Sequence, residues 1–232
     1  MAPRTAFLAP GREGEAYFIH GLTYARIKWT PSTPKEEIIS GPSKVADYWK
    51  ELTDADKANF GSVDAILQIP DTSDQVWIFS GNKYITYRFT PGTTGNDKVL
   101  YGPSTFKAGW PTLIKAGFET IDVALPVPGQ KDEAYFFSGN SYVKVKLAPG
   151  KPQDQEITFG PAKIADEWKT LAQAGFSTID AAIPVPGKEG EAYFFSGSQY
   201  CKIKWTPGTS KEELTWGPKP LLEGWKTLAW GW

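Results

Sequence analysis

The sequence contains very little cysteine and histidine, with one residue of each among 232. Since Cys201 is the only cysteine, the chain forms no internal disulfide and no cysteine zinc cluster. His20 is the only histidine, so a haem held by two histidines of one chain is excluded. The sequence also lacks an HExxH motif and a GxxxxGK phosphate loop. These absences argue against an enzyme.

Excess charge and long apolar runs are absent as well. The chain has 25 basic and 26 acidic residues, so nothing indicates a nucleic-acid or anionic-membrane partner. No segment approaches the roughly 18 consecutive apolar residues of a membrane span, and the first residues lack the apolar region of a signal peptide. We therefore expect a soluble protein of a reducing compartment, cytoplasmic or in a storage compartment.

What the sequence does contain is a fourfold internal repeat. The stretch from Asp180 to Trp205 recurs, with copies that begin near Arg4, at Asp64 and at Asp122, and a Gly-Pro dipeptide returns about every 58 residues. Hydrophobic residues make up 41% of the chain, and ten are Trp, which is ample for a core. The repeat predicts a single domain, 1–232, of four units at approximately 4–60, 61–118, 119–176 and 177–232.

Each repeat has the same internal order. Two apolar segments are followed by a two-residue connection that begins with glycine, as in a β-hairpin turn, and by an alternating third segment. A fourth strand runs into the Gly-Pro, and one amphipathic helix closes the unit, with tryptophan at one helical position: Trp49, Trp110, Trp168 and Trp225. Four strands and one helix, four times over, predict an all-β fold with short connecting helices, a four-bladed β-propeller.

These motifs resemble the hemopexin-like repeat. The resemblance is carried by D-A-x-(I/L), E-A-Y-F-F-x-G-x-x-Y and a Gly-Pro followed by a helix with Trp, and it covers almost the whole chain. That repeat occurs in hemopexin, matrix metalloproteinases, vitronectin and hemopexin-fold seed albumins of legumes. The chain lacks the cysteine pair that ties the first blade to the last in extracellular members, and in this it is similar to the seed albumins. Ring closure is then expected from packing of Trp230 and Trp232.

The first strands of a propeller line its axis, so residues in register form rings around a channel. Main-chain oxygens of two such rings are hard ligands suited to calcium or sodium, and the resemblance implies an axial ion held in this way. The predicted ligands are Arg4, Asp64, Asp122 and Asp180, and two residues further on Ala6, Ile66, Ala124 and Ala182. A guanidinium at Arg4 opposes a cation, whereas a one-residue gap would place Thr5 there. The alternative is that the Asp side chains only cap turns.

A basic series on the third strands has two interpretations, a cationic ligand ring or cross-strand ion pairs. If Gly197-Ser198 is a two-residue turn, Glu191 lies opposite Lys204. The same arithmetic applies in other repeats, where it places Glu133 opposite Lys146, Glu15 opposite Lys28 and Gln75 opposite Arg88. Cross-strand ion pairs therefore explain the series without a ligand.

The residue before each Gly-Pro differs between repeats, being Ser40, Tyr101, Phe159 and Trp216. On an outer strand, exposed aromatic side chains stack on sugar rings, or they cover their own blade. His20 precedes a turn glycine in a column of serines, which favours an exposed turn residue. Cys201 lies among apolar residues, which predicts an unreactive thiol in the core.

The function favoured is non-catalytic binding of a glycan or small polar ligand, as in a lectin. Resemblance to the seed albumins implies calcium, polyamines or hemin as ligands, with hemin on apolar surface. The alternatives are a storage protein and a protein-docking module. The sequence leaves the oligomeric state open between a monomer and a homodimer.

Overall fold

The computed structural model describes residues 3–31, 33, 35–92 and 96–231. Its strands form four antiparallel sheets of four strands, each in sequential order, so each sheet is one blade. The first two blades contain β1 (Thr5–Leu8), β2 (Glu15–His20), β3 (Thr23–Trp29), β4 (Glu36–Lys44), β5 (Ala65–Gln68), β6 (Gln75–Ser80), β7 (Lys83–Arg88) and β8 (Lys98–Thr105). The last two contain β9 (Val123–Pro126), β10 (Glu133–Ser138), β11 (Ser141–Lys146), β12 (Glu156–Lys163), β13 (Ala181–Pro184), β14 (Glu191–Ser196), β15 (Gln199–Trp205) and β16 (Glu212–Pro220).

The inner strands surround a common axis, because β1 lies beside both β5 and β13, and β9 also lies beside both. This closed ring confirms the prediction of a four-bladed propeller. Across the described ranges no helix has the length and apolar character needed to cross a membrane.

The connecting helix differs from the prediction, because most blades carry two short helices instead of one. They are α1 (Val45–Tyr48), α2 (Lys50–Thr53), α3 (Phe106–Gly109), α4 (Pro111–Lys115), α5 (Ile164–Glu167), α6 (Lys169–Gln173) and α7 (Leu221–Gly224), with 3-10 helices at Pro152–Asp154 and Lys226–Gly231. The break falls at the recurring tryptophan, which has a non-helical ψ of 60° at Trp49. Its indole is buried in the core, so side-chain packing overrides helix continuity at this point.

The fourth strand also continues beyond the predicted end at Gly-Pro, and it bulges there. β4 runs through Gly41-Pro42 to Lys44, with a shift of its register against β3, and all four Gly-Pro peptide bonds are cis. Gly41 has φ +88°, and a Cβ on it would lie 2.6 Å from the Tyr24 carbonyl oxygen. The other three glycines of this motif make the same approach, which explains why each repeat carries glycine at this position.

The hydrophobic core lies between the blades. Each of its four clusters combines one face of a blade with the opposing face of the next, and the cluster of the fourth and first blades is built like the others. There the ring of Phe18 lies 5.2 Å from that of Trp225 and 6.1 Å from that of Phe195. Trp230 packs against this cluster, whereas Trp232 lies outside the described residues. Packing closes the ring without a disulfide.

A hydrogen bond from the start of each second helical segment to the next blade accompanies this packing, and we call it the interblade latch. Thr170 donates through its N–H and hydroxyl to Glu212, at 3.0 and 2.9 Å, and the Thr227 N–H donates to Glu36 at 2.8 Å. At the second junction the Thr112 hydroxyl donates to the Gln155 carbonyl at 3.0 Å. At the first junction the direction reverses, because Glu51 occupies the threonine position and accepts a bond from the next blade: Val99 N–H, 2.6 Å.

The bulge predicts a strong effect of Gly160→Ala. Gly160 has φ +89°, and a Cβ would lie 2.8 Å from the Tyr142 carbonyl oxygen. We expect the free energy of unfolding, measured by urea titration, to fall by about 3 kcal/mol or more, because the left-handed backbone and the close contact both penalise alanine.

The matched control is Gly150→Ala, where φ is +74° but no atom lies within 4 Å of the added Cβ. It carries only the backbone cost of about 1–2 kcal/mol. Equal losses in the two variants would show that the close approach at the bulge is unimportant.

Candidate functional site

The channel along the axis is lined by the inner strands. It encloses a cavity of about 320 Å³ whose lining includes Ala6, Ile66, Ala124 and Ala182. These are four of the eight predicted ligand residues, and the sheet register gives them one shared position.

The direction of the backbone groups follows from the hydrogen-bond alternation of an antiparallel pair. The Ile69 N–H donates to the Gln75 carbonyl at 2.9 Å. The backbone N–H and C=O groups of Leu67 and Ala65, two and four residues earlier, therefore also point toward β6. The intervening carbonyl of Ile66 then points away from β6, toward the axis. The Asp64 N–H also donates to Phe79 of β6, at 2.9 Å, so the alternation breaks at Asp64, but its carbonyl still opposes the Ala65 N–H within one trans peptide and points to the same side as that of Ile66. Eight carbonyls at equivalent positions thus remain candidate ligands for a cation.

The carboxylates of the same column serve the hairpin turns. Asp64, Asp122 and Asp180 each accept a hydrogen bond from the N–H of the turn glycine of their own blade, at 2.6, 2.7 and 2.6 Å. This is the turn-capping role that the sequence offered as the alternative. Among the residues that the structure describes, no group of three or more His, Cys, Asp or Glu side chains could hold a metal ion. Any axial cation would therefore depend on main-chain oxygens.

Arg4 occupies the first-blade position of this column. Thr5 pairs with Ile19 in the first blade just as Ala65 pairs with Phe79 in the second, so Thr5 is equivalent to Ala65 and Arg4 to Asp64. The one-residue gap that would place Thr5 in the ring is therefore wrong. The Arg4 side chain is 64% exposed and its Nε lies 3.2 Å from Asp64 Oδ1, which holds the guanidinium at the channel mouth.

The electrostatics of the mouth show that these groups are close to one another. Burial raises the pKa of Asp122 above its usual range, the hydrogen bond from Gly139 opposes the rise, and the charges of Asp64 and Asp180 add to it. Arg4 lowers the pKa of Asp122 in turn. Three carboxylates therefore outweigh one guanidinium, which leaves the mouth acidic.

The third-strand register is confirmed in every blade, including Glu191 opposite Lys204. The ion pairs, however, form with the basic residue two positions earlier. Glu191 lies 3.3 Å from Lys202, and the equivalent pairs are Glu133 with Lys144 at 3.2 Å and Glu15 with Arg26 at 3.4 Å. Sheet twist brings this diagonal neighbour close, and the pair is mostly buried, whereas Lys204 is exposed.

Two interblade clefts were not anticipated from the sequence. The cleft between the third and fourth blades, which we call cleft A, has a volume of about 330 Å³, and the cleft between the fourth and first blades, cleft B, about 340 Å³. Equivalent residues line both: in cleft A Tyr135, Tyr142, Lys144, Phe159, Trp168, Trp205 and Glu212, and in cleft B Tyr193, Tyr200, Lys202, Trp216, Trp225, Trp29 and Glu36. Only comparison of columns from adjacent repeats could have indicated them.

The predicted aromatic residues are exposed, Tyr101 by 55%, Phe159 by 42% and Trp216 by 49%. Phe159 lies directly across the sheet from Lys144 in cleft A, and Trp216 lies across from Lys202 in cleft B. Tyr101 lines neither cleft.

Trp216 is held in place by two neighbours. Its indole N–H donates to the Tyr200 hydroxyl at 3.0 Å, and the Lys219 ammonium lies 4.9 Å from the ring centre. His20 and Cys201 lie away from both clefts: His20 is half-buried at the end of β2, and Cys201 is buried in the core.

The closed ring of four four-stranded blades with Gly-Pro bulges defines a hemopexin-type propeller, and comparisons with known proteins agree. A 2S albumin seed protein from Dolichos is 30% identical, covers 98% of both chains and superposes with a TM-score of 0.86. The hemopexin fold protein CP4 from cow pea is 30% identical, covers 97% of this chain and 96% of its own, and has a TM-score of 0.84. The chain belongs to the family of hemopexin-fold seed albumins.

Two further relatives are less similar in sequence. A plant lectin with two metal binding sites from Cicer arietinum is 26% identical, covers 98% of this chain and 97% of its own, and has a TM-score of 0.83. Albumin-2 of Pisum sativum is 25% identical over 218 residues, which are 94% of this chain and 90% of that protein. No family model matches the sequence.

Burial of Cys201 predicts an unreactive thiol. Desolvation raises its pKa to about 12, against about 8.5 for a free cysteine, so the folded protein holds almost no thiolate at pH 8. We expect the disulfide reagent DTNB, followed by absorbance, to label Cys201 only after guanidinium unfolds the chain.

The same shift makes this thiol a source of pH dependence. The unfolded chain ionises first, so the contribution of Cys201 to stability is complete below about pH 8.5 and declines as pH rises toward 12. Rapid labelling in native buffer would contradict the prediction.

Proposed function

We propose that the protein is a non-catalytic carbohydrate-binding protein of the albumin and lectin type, and a seed protein like its relative from Dolichos. The observation that carries the proposal is the pairing of an exposed aromatic ring with a lysine in each cleft: Phe159 with Lys144, and Trp216 with Lys202. The lectin among the similar structures supports the same function.

The chemistry of the clefts suits a sugar. An exposed aromatic ring offers an apolar face to the C–H groups of a pyranose. The hydroxyl groups of the pyranose need both hydrogen-bond donors and acceptors from the protein. In cleft A, Lys144 is a donor, the carboxylate of Glu167 in the lining is an acceptor, and the Thr158 hydroxyl, which donates to the Lys144 carbonyl at 3.3 Å, can accept a further bond. Apolar walls with a few polar groups are typical of small-molecule sites.

Four of the carboxylates near the clefts have structural partners, which supports binding without catalysis. Glu212 and Glu36 accept hydrogen bonds from the interblade latches, and Glu133 and Glu191 form ion pairs with lysines. A general acid and base need carboxyl groups with separated pKa values, and these four are committed to neighbours within the described residues.

An axial cation is a second proposal, and it concerns stability rather than the ligand. Eight main-chain carbonyls directed at the channel and the acidic mouth around Asp122 both support calcium or sodium on the axis. The two metal sites of the Cicer arietinum lectin make the proposal more plausible.

Carbohydrate binding is tested on a broad glycan array and by agglutination of erythrocytes. We expect binding to at least one class of neutral glycan, and agglutination that the matching free sugar abolishes. Spermine and hemin, titrated in the same buffer, are the competing ligands. Silence across the array, with a response only to spermine or hemin, would overturn the carbohydrate proposal.

The axial cation is tested by thermal unfolding of chelator-treated protein in potassium buffer. We expect calcium to raise Tm more than sodium at equal ionic strength, because calcium favours six to eight oxygen ligands. Arg4→Gln removes a positive charge from the mouth and should lower the half-maximal calcium concentration severalfold.

Arg88→Gln is the matched control, since Arg88 forms an equivalent pair with Asp74 at 3.3 Å and is also partly exposed. It should leave the calcium response unchanged. A Tm that responds to neither calcium nor chelator would refute the axial ion.

A further inference from the structure

We propose that clefts A and B are two equivalent sites for an uncharged pyranose, so that a single chain is bivalent. This inference rests on the proposed carbohydrate binding and adds the location, number and ligand charge of the sites. It depends on three features that must coincide at one junction: an exposed aromatic ring, a partly buried lysine–glutamate pair and an open cleft.

The two clefts agree in detailed geometry. In cleft A the Trp168 and Trp205 rings are 5.4 Å apart at 63°, and in cleft B Trp225 and Trp29 are 5.6 Å apart at 61°. The tyrosine of the wall meets its tryptophan at 5.4 Å in cleft A and 5.3 Å in cleft B. The lysine–glutamate distances, 3.2 and 3.3 Å, are also nearly the same. Two sites built alike should bind the same ligand.

The junction of the first and second blades lacks the aromatic ring and is covered. Ser40 stands where Phe159 and Trp216 stand, across the sheet from Arg26. The loop of the second blade lies on Arg26, because a Cβ on Gly92 would be 3.4 Å from Arg26 Nη1. At Gly208, the equivalent residue beside cleft A, no atom lies within 4 Å of such a Cβ.

The junction of the second and third blades keeps the exposed ring of Tyr101 but lacks the charged pair. Thr86 replaces the lysine opposite Tyr101, and Gln75 replaces the glutamate. Trp77 takes the place of the wall tyrosine and packs against Trp110 at 5.3 Å, with both only 1% exposed. This junction therefore offers a flat aromatic surface without the polar partners that fix a sugar.

The charge and volume of the clefts indicate the ligand class. Among the described residues, the lining of cleft A contains one cation, Lys144, and two carboxylates, Glu167 and Glu212, while that of cleft B contains Lys202 and Lys219 with Glu36 and Glu223. Neither cleft has the excess of cations that would select an acidic sugar, whereas an uncharged pyranose gains hydrogen bonds to charged groups. Volumes of about 330 and 340 Å³ lie at the small end of ligand sites, which suits a monosaccharide or disaccharide.

The sites lie at successive blade junctions around the axis. One chain could then hold two glycans of different cells, and weak sites on one scaffold gain avidity. Agglutination would follow without a homodimer.

The test uses calorimetric titration of the full chain with methyl glycosides of mannose, glucose, galactose and N-acetylglucosamine, with light scattering to count chains per particle. For a glycoside that binds, we expect two molecules per chain. Phe159→Ala and Trp216→Ala should each weaken one site roughly tenfold or more, so that one tight site remains, and the double variant should lose both. Tyr101→Ala is the matched control and should keep two sites.

Each outcome is informative. Because all three side chains are exposed, a Tm close to that of the parent will show that the variants fold. Binding of none of the glycosides would overturn this inference, and silence across the glycan array would refute the proposed function as well. Binding with one molecule per chain, or with two that persist in both single variants, would overturn the inference alone. For a monomer with two sites, either single variant should also lose agglutination.

Discussion

The structure depends on the burial of an apolar layer between neighbouring blades. A single four-stranded blade leaves both faces exposed, and each of the four core clusters needs residues from two blades. The recurring tryptophan lies at the centre of each layer, where Trp49 meets Tyr24 and Phe89 at about 5 Å. Because the layer between the last and first blades is equivalent to the others, the ring closes by the interaction that builds every junction.

The fold could be read from the sequence because its determinants are local and repeated. A turn glycine sets the hairpin register, which is why the sequence alone places Glu191 opposite Lys204. The helix break at tryptophan could not be predicted, since it depends on packing against the next blade. The diagonal ion pair of Glu191 with Lys202 also required the sheet twist, which no spacing reveals.

For the candidate sites as well, some features could be predicted from the sequence and others required the fold. Alignment of the repeats identified the column that contains Asp64, but only the fold showed that the carboxylates of this column cap the hairpin turns. Phe159 and Trp216 were found because they vary between repeats, whereas their clefts join columns from two repeats that sequence comparison treats separately. Shared residues of the repeat thus build the scaffold, and differences at the junctions determine what can bind.

The interblade latch has a consequence for how neighbouring blades are held together. Threonine donates to the next blade in three repeats, while Glu51 accepts in the first. The second blade carries Asp97 at the position of Glu212, so Glu51 already lies at a border with a carboxylate: there Glu51 accepts from the Val99 N–H, while Asp97 accepts from the Thr90 N–H of its own blade at 2.9 Å. The latch therefore forms with either a donor or an acceptor on the preceding helix, and it is the apolar layer between the blades, not the polarity of the latch, that holds each blade to its neighbour.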